Sequence, residues 1–349
     1  MQDILKKVTQ GQNLTSEEAG RAMTDIMTGQ AGEVRTAALL AALVMKGETG
    51  QEIEAFARSM RKAAVPWPGA DEKILCDTCG TGGDSSRTIN VSTITAILLA
   101  AMGVPITKHG NRAVSGLTGS ADLLESLGIP VELDPESSLR CLQKVGICFL
   151  FAPKWHPAMK YAAPVRKAMG IRTVFNLLGP ITNPAPVTHQ VIGVFHERFM
   201  DPLAHALSGL ARRGTYIVHS RDGLDEVSIS APTSYVKIEN GEIVRRGEFQ
   251  PEDFGFSKSD IANVQVESRD EALERARIIF AGKGNDVENA LVSMNAALIY
   301  NLVSANGAGS DLKKAARECL DALKSGKCEK VIGDWKSFEN ESGTVVAMG

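Results

Sequence analysis

The chain has 349 residues, with 38 Lys and Arg against 41 Asp and Glu and 44% hydrophobic residues, the balance of an ordinary globular protein. A net charge of -3 supplies no global attraction for nucleic acid or an anionic membrane, so any anion site must be local. The length suits two domains at about 150 residues each, and no apolar run approaches a membrane span, so neither nucleic acid nor membrane is an expected partner.

The opening residues Met1-Gln2-Asp3-Ile4-Leu5-Lys6-Lys7 lack the apolar core of a signal peptide, which predicts a cytoplasmic protein with reduced cysteines. Residues 1–64 read as helices, with capping boxes at Thr15 with Glu18 and at Thr49 with Glu52. Residues 37–45 are small and apolar on most sides, which suits both the centre of a helical subdomain and a subunit interface. Pro66-Trp67-Pro68-Gly69 breaks the pattern and is the expected linker.

From residue 73 short apolar runs alternate with helical stretches, the pattern of an α/β domain. Strands are expected at 74–77, 104–108, 129–133, 147–151, 190–195 and 215–218. The helices expected between them lie at 92–102 and 120–127, after Asp134-Pro135, at 159–169 and at 199–213. A parallel sheet is the economical arrangement. Asn240-Gly241 between two alternating runs marks a β-hairpin. Three helices should close the chain, starting near Ser268, Asp286 and Asp311.

Three constellations could carry chemistry. Asp77-Thr78-Cys79-Gly80-Thr81-Gly82-Gly83-Asp84 follows a strand, and its glycines let backbone N–H groups approach an anion. A plain strand-to-helix turn would use the same residues. Ser85 stands where a dinucleotide fingerprint needs its third glycine, so a Rossmann cofactor is not expected. Thr88, Asn90, Ser92 and Thr93 add donors at the next helix start, where phosphate binds well. The following strand ends in Lys108-His109-Gly110-Asn111-Arg112, and Gly119-Ser120 opens a further helix. Two such cradles imply a substrate with two phosphate groups.

Asp222, Asp225 and Glu226 form the second constellation; at a strand end they suit Mg²⁺, though alone a solvated acidic turn would be the commoner reading. Arg166, on a helix face, forms the third and could grip a carboxylate bidentately. His156 before a proline reads as a loop residue. Cys76 and Cys79 have no second pair and the histidines no metal spacing, so zinc is not expected.

Taken together, the stretches 80–84, 90–93, 108–112, 119–122, 163–166, 172–180 and 222–226 resemble, in order and spacing, the anthranilate phosphoribosyltransferase family. The resemblance spans nearly the whole chain. It implies an α/β fold of nucleoside phosphorylase-like architecture, with a small all-helical domain and a larger α/β domain around a mostly parallel sheet. The helical domain would cover 1–66, completed by helices around 160–190, and the α/β domain 70–349. It implies transfer of the phosphoribosyl group of phosphoribosyl diphosphate to the amine of anthranilate, in a homodimer formed through the helical domains.

By that likeness Gly80, Gly83, Asp84, Thr88, Asn90, Ser92, Thr93, Lys108 and Ser120 would hold phosphoribosyl diphosphate. Ser92, Asp225 and Glu226 would hold Mg²⁺, and Gly80, Asn111 and Arg166 would contact anthranilate. Lys108, His109 and Arg166 are the expected catalytic residues, with Asp84 or His109 taking the late proton. Gly116 stands where the family often has serine, and Ser85 and Ile89 where it often has Gly and Phe. An exposed Cys79 would make the protein sensitive to alkylation. The alternatives are a pyrimidine nucleoside phosphorylase, whose Lys-His-Ser-Thr-Gly-Gly loop is absent, and a non-catalytic nucleic-acid-binding relative, which should lose the Asn111 and Arg166 pair.

Overall fold

Both N-terminal capping boxes form and fix where their helices start. The computed structural model describes residues 1–70, 74–83, 86–113, 117–210, 212–304 and 311–342, with side chains as far as 338. Helices α1 (Gln2–Thr9), α2 (Ser16–Met27), α3 (Gly32–Lys46) and α4 (Gly50–Lys62) open it. Thr15 caps α2 and Thr49 caps α4, each with its glutamate reaching back to the cap N–H. Glu52 is fully buried, where it also accepts from Leu14 N and pairs with Lys46 Nζ at 2.8 Å.

The sheet has seven strands: β1 (Cys76–Thr78), β2 (Ile106–Gly110), β3 (Ile147–Phe151), β4 (His189–Gly193), β5 (Gly214–Ser220), β6 (Thr233–Glu239) and β7 (Glu242–Phe249). Their order is β3-β2-β1-β4-β5-β6-β7; the first five run parallel, and the hairpin adds β6 and β7 antiparallel. β1, β3 and β4 are wholly buried, as strands covered on both faces are; β3 is apolar throughout, while β1 and β4 also bury Asp77, Thr78, His189 and Gln190. The remaining helices are α5 (Val91–Ala101), α6 (Ser120–Ser126), α7 (Pro135–Val145), α8 (Ala152–Trp155), α9 (Ala163–Met169), α10 (Val174–Ile181), α11 (Met200–Ser208), α12 (Arg269–Phe280), α13 (Asp286–Val303), α14 (Leu312–Lys324) and α15 (Lys327–Ser342).

Two apolar cores result. One joins α5, α7, α13, α14 and α15 to the sheet and takes in all of β3; the other joins α1–α4 to α9, α10 and α11 and reaches the sheet through Ile192, Ile217 and Val236.

Three expectations change. Residues 129–133 alternate in burial as a strand would, yet form none: Pro130 has no N–H for a ladder, and the segment lies on the core as irregular chain. Four helices close the chain rather than three, because Gly326, in the left-handed region at φ 74°, turns the chain between α14 and α15. The helix expected over 199–213 stops at Ser208.

Candidate active site

Strand order reverses between β1 and β4: β2 and β3 extend the sheet on one side and β5 on the other. Connections leaving the carboxyl ends of two such strands diverge and open a crevice, where open α/β sheets bind ligands. The loops carrying Gly80, Asn111 and Asp225 all leave this edge.

The glycine loop is pinned across the crevice. Thr81 N donates to Gly193 O at 2.9 Å, Phe195 N donates to Thr81 Oγ1 at 3.0 Å, and Gly82 N donates to Asp225 Oδ2 at 2.8 Å. Gly80 leaves room for the Asp225 carboxylate: a Cβ there would lie 2.4 Å from Asp225 Oδ2, so a side chain would force that carboxylate or the loop to shift. Gly82 and Gly83 have φ of 65° and 77°. The Arg172 guanidinium donates to Gly83 O and lies 4.1 Å from the Phe195 ring centroid, so it anchors this loop to the segment before α10. Sequence reasoning gave Arg172 no role; its place in the 172–180 stretch was the only signal. Asp84 and Gly116 lie outside the described residues.

Lys108 is 2% exposed. Its ammonium donates to Thr78 O and reaches Ser92 Oγ at 3.4 Å, which joins the ends of β1 and β2 to the start of α5. Gly80, Ser92 and Glu226 line one small pocket with Thr78, Cys79 and Asn295. This is the closest gathering of the expected residues. Asn90 opens α5 without a side-chain cap; its amide instead exchanges hydrogen bonds with Thr118, at 3.2 Å to the carbonyl and 2.8 Å from the hydroxyl. Thr88 forms an isolated bridge with Gln265, and Thr93 is buried at 2%. Ser120 Oγ donates to Asn111 O at 3.3 Å, and Asn111 Oδ1 accepts from Arg112 N.

Four side chains differ from expectation. His109 is 3% exposed, with Nδ1 3.1 Å from Gly179 O and its ring 5.2 Å from that of His156. Burial, reinforced by His156, takes its pKa down to about 3, so the imidazole stays neutral and is a poor proton acceptor. Arg112 is held by Glu125 and Glu132 over the Phe151 ring, which removes it from the expected basic cradle. Asp222 accepts from Ser228 and Ser230 and belongs to its own turn rather than to a metal shell. Cys79 is half-buried and burial pushes its thiol up to about 12, so it is not the alkylation-prone thiolate expected. Arg166 lies 5.3 Å from the Phe175 ring centroid on α10, half-buried.

A helical bundle joined to an α/β domain is the two-domain arrangement of a glycosyltransferase family. Two family models agree: the helical bundle domain of the glycosyl transferase family matches residues 2–64 and its a/b domain residues 72–329. The chain is 41% identical to the anthranilate phosphoribosyltransferase of Thioalkalivibrio sulfidiphilus over 338 residues, 97% of this chain and 98% of that one. It is 44% identical to that of Moorella thermoacetica, over 92% and 93%.

The crystal structure of anthranilate phosphoribosyltransferase from Thermus thermophilus superposes with a TM-score of 0.89 at 37% identity, over 97% of this chain and 99% of that one. The Saccharomyces cerevisiae enzyme in complex with PRPP and Mg shares the fold at a TM-score of 0.87 and 24% identity, over 97% of each chain. The chain belongs to the anthranilate phosphoribosyltransferase family. That family is one of pentosyltransferases, moving the 5-phosphoribosyl group of phosphoribosyl diphosphate to the amine of anthranilate, a step of tryptophan biosynthesis.

Proposed function

We propose the following division of labour for this reaction. The diphosphate of phosphoribosyl diphosphate lies on the Gly80–Gly83 loop and the starts of α5 and α6, with Thr88, Asn90, Ser92, Thr93 and Ser120 beside it and Lys108 as its buried cation. The observation that carries this reading is Lys108 Nζ 3.4 Å from Ser92 Oγ, on a serine whose pocket also holds Gly80 and Glu226. A buried ammonium is worth most where negative charge develops, here on the departing diphosphate as the C1–O bond breaks.

Ser92, Asp225 and Glu226 would hold Mg²⁺. The donor set is one hydroxyl and two carboxylates, which fits an ion that completes its shell with water and phosphate oxygens. Among the described residues no group of three His, Cys, Asp or Glu could hold a metal ion. When bound, the ion neutralises diphosphate oxygens and lowers the barrier to their departure.

Arg166 and Asn111 grip the anthranilate carboxylate and turn its amine toward C1, an orientation effect. An aromatic amine is already neutral at pH 7 and needs no strong base; once the C–N bond forms and the C1–O bond breaks, the nitrogen passes its proton to the released diphosphate or to water. His109, buried against Gly179 O and His156, is not proposed as the acceptor of that proton. The cytosol is the proposed compartment: all six cysteines are unpaired, and among the described residues no helix is long and apolar enough to cross a membrane.

The metal assignment is tested by titrating Mg²⁺ against rate in a variant combining Asp225→Asn and Glu226→Gln. A raised Mg²⁺ requirement is expected; an unchanged titration curve would remove both residues from the metal site.

A further inference from the structure

Beneath the crevice, at the middle of β1, Asp77 is fully buried. Its carboxylate collects three donors. Oδ1 accepts from His109 N at 3.3 Å, and Oδ2 accepts from Asn183 Nδ2 at 2.9 Å and Gln190 Nε2 at 3.3 Å. Two of these donors are shared: Asn183 Nδ2 also bonds Thr107 O at 2.8 Å, and Gln190 Nε2 also bonds Pro180 O at 2.6 Å. The carboxyl thus ties the end of β2, on both sides of Lys108, to the end of α10. Three converging donors suit a group that only accepts, which an amide of the same shape does not. Burial raises the Asp77 pKa, while the Lys108 charge and the Asn183 amide oppose that rise.

We propose that Asp77 is a positioning residue for the transfer. By clamping the backbone of 107–109 it holds the Lys108 ammonium against Thr78 O and Ser92. Through Asn183 and Gln190 it holds α10, whose Phe175 lies beside Arg166, at one spacing from that lysine. The leaving-group side and the acceptor side of the crevice are thereby fixed to a single buried carboxylate. This rests on the proposed role of Lys108 and adds a residue that touches neither substrate.

The experiment is a double-mutant cycle of Asp77→Asn with Lys108→Met, reading kcat, both KM values and the melting temperature. Displacing a catalytic group by about 1 Å costs on the order of 10²-fold, so Asp77→Asn should lower kcat by about that factor in the natural background, with a rise in the anthranilate KM as α10 shifts beside Arg166. In the Lys108→Met background the same change should cost under about threefold, because it acts through the missing ammonium.

A lower melting temperature with unchanged kcat, or an equal loss in both backgrounds, would show a purely structural carboxylate and overturn the proposal. Should Asp77→Asn not fold, Asn183→Ala, which removes the amide that ties Asp77 Oδ2 to Thr107 O on the other side of Lys108, is read by the same criteria. An inactive natural chain in this assay would instead remove the reading on which the inference rests, and is seen before any variant is made.

Discussion

Gly80 shows how tightly the crevice is specified. A methyl group there would collide with Asp225 Oδ2, so Gly80→Ala must displace either the loop or that carboxylate. A loss of about 10²-fold in kcat/KM is expected from misplacement of this order, and activity within threefold of the parent would show that the loop does not bear on the reaction. Arg166→Ala should mainly raise the anthranilate KM, since a bidentate carboxylate partner serves ground state and transition state alike.

His109 and His156 carry a pH signature. Both are buried, with pKa values lowered to about 3 and about 4 chiefly by burial. The unfolded chain therefore binds more protons than the fold below about pH 6.5, and stability is full above that pH and falls as pH drops toward the folded values. Each histidine adds a slope of up to about 1.4 kcal/mol per pH unit. His156→Gln should flatten the decline of melting temperature between pH 6.5 and 4; an unchanged slope would remove that ring from the acid response. The glycines, Lys108 and the Asp225-Glu226 pair were legible in the sequence because adjacent residues make each motif. The capture of Arg112 by Glu125 and Glu132, the burial of Cys79 and the donors around Asp77 were not, because each depends on partners that only the fold brings close.

At the scale of elements, helix starts were the most legible feature, since a cap is a local bond between residues three apart. Thr49→Ala should cost about 1 kcal/mol as a lost cap. Glu52→Ala should cost more, about 3 kcal/mol, because it also leaves the nearly buried Lys46 ammonium with only the neutral acceptors Asn13 Oδ1 and Gly47 O. Chemical denaturation of the two variants checks the difference; equal losses would mean that the ion pair contributes nothing beyond the cap. The hairpin was legible for the same local reason: Asn240 and Gly241 both take positive φ, at 50° and 83°, as a tight type I′ turn requires. Residues 129–133 misled because period-2 burial does not require strand pairing. The Asn240-Gly241 pattern predicted two strands without saying that they would extend the main sheet.

At the scale of the whole molecule, α3 leaves an apolar face exposed. Val34 and Met45 on α3 are 83% and 86% exposed, and eleven residues is close to three helical turns, so both project from one side of the helix. We propose that a second copy of the chain covers this face, as the composition of residues 37–45 suggested. Val34→Asp combined with Met45→Lys should then shift the mass in sedimentation equilibrium from dimer to monomer; a monomeric natural chain would contradict the assignment.

Strand order was beyond the sequence. Nothing local says that β4 lies beside β1, yet that adjacency makes the crevice and brings Gly193 and Asp225 onto the glycine loop. The transfer itself is tested most directly by following anthranilate fluorescence in the presence of phosphoribosyl diphosphate and Mg²⁺. Steady loss of the signal that requires all three components, with one diphosphate released per anthranilate consumed, is the predicted result. Folded protein that leaves anthranilate untouched under those conditions would contradict it.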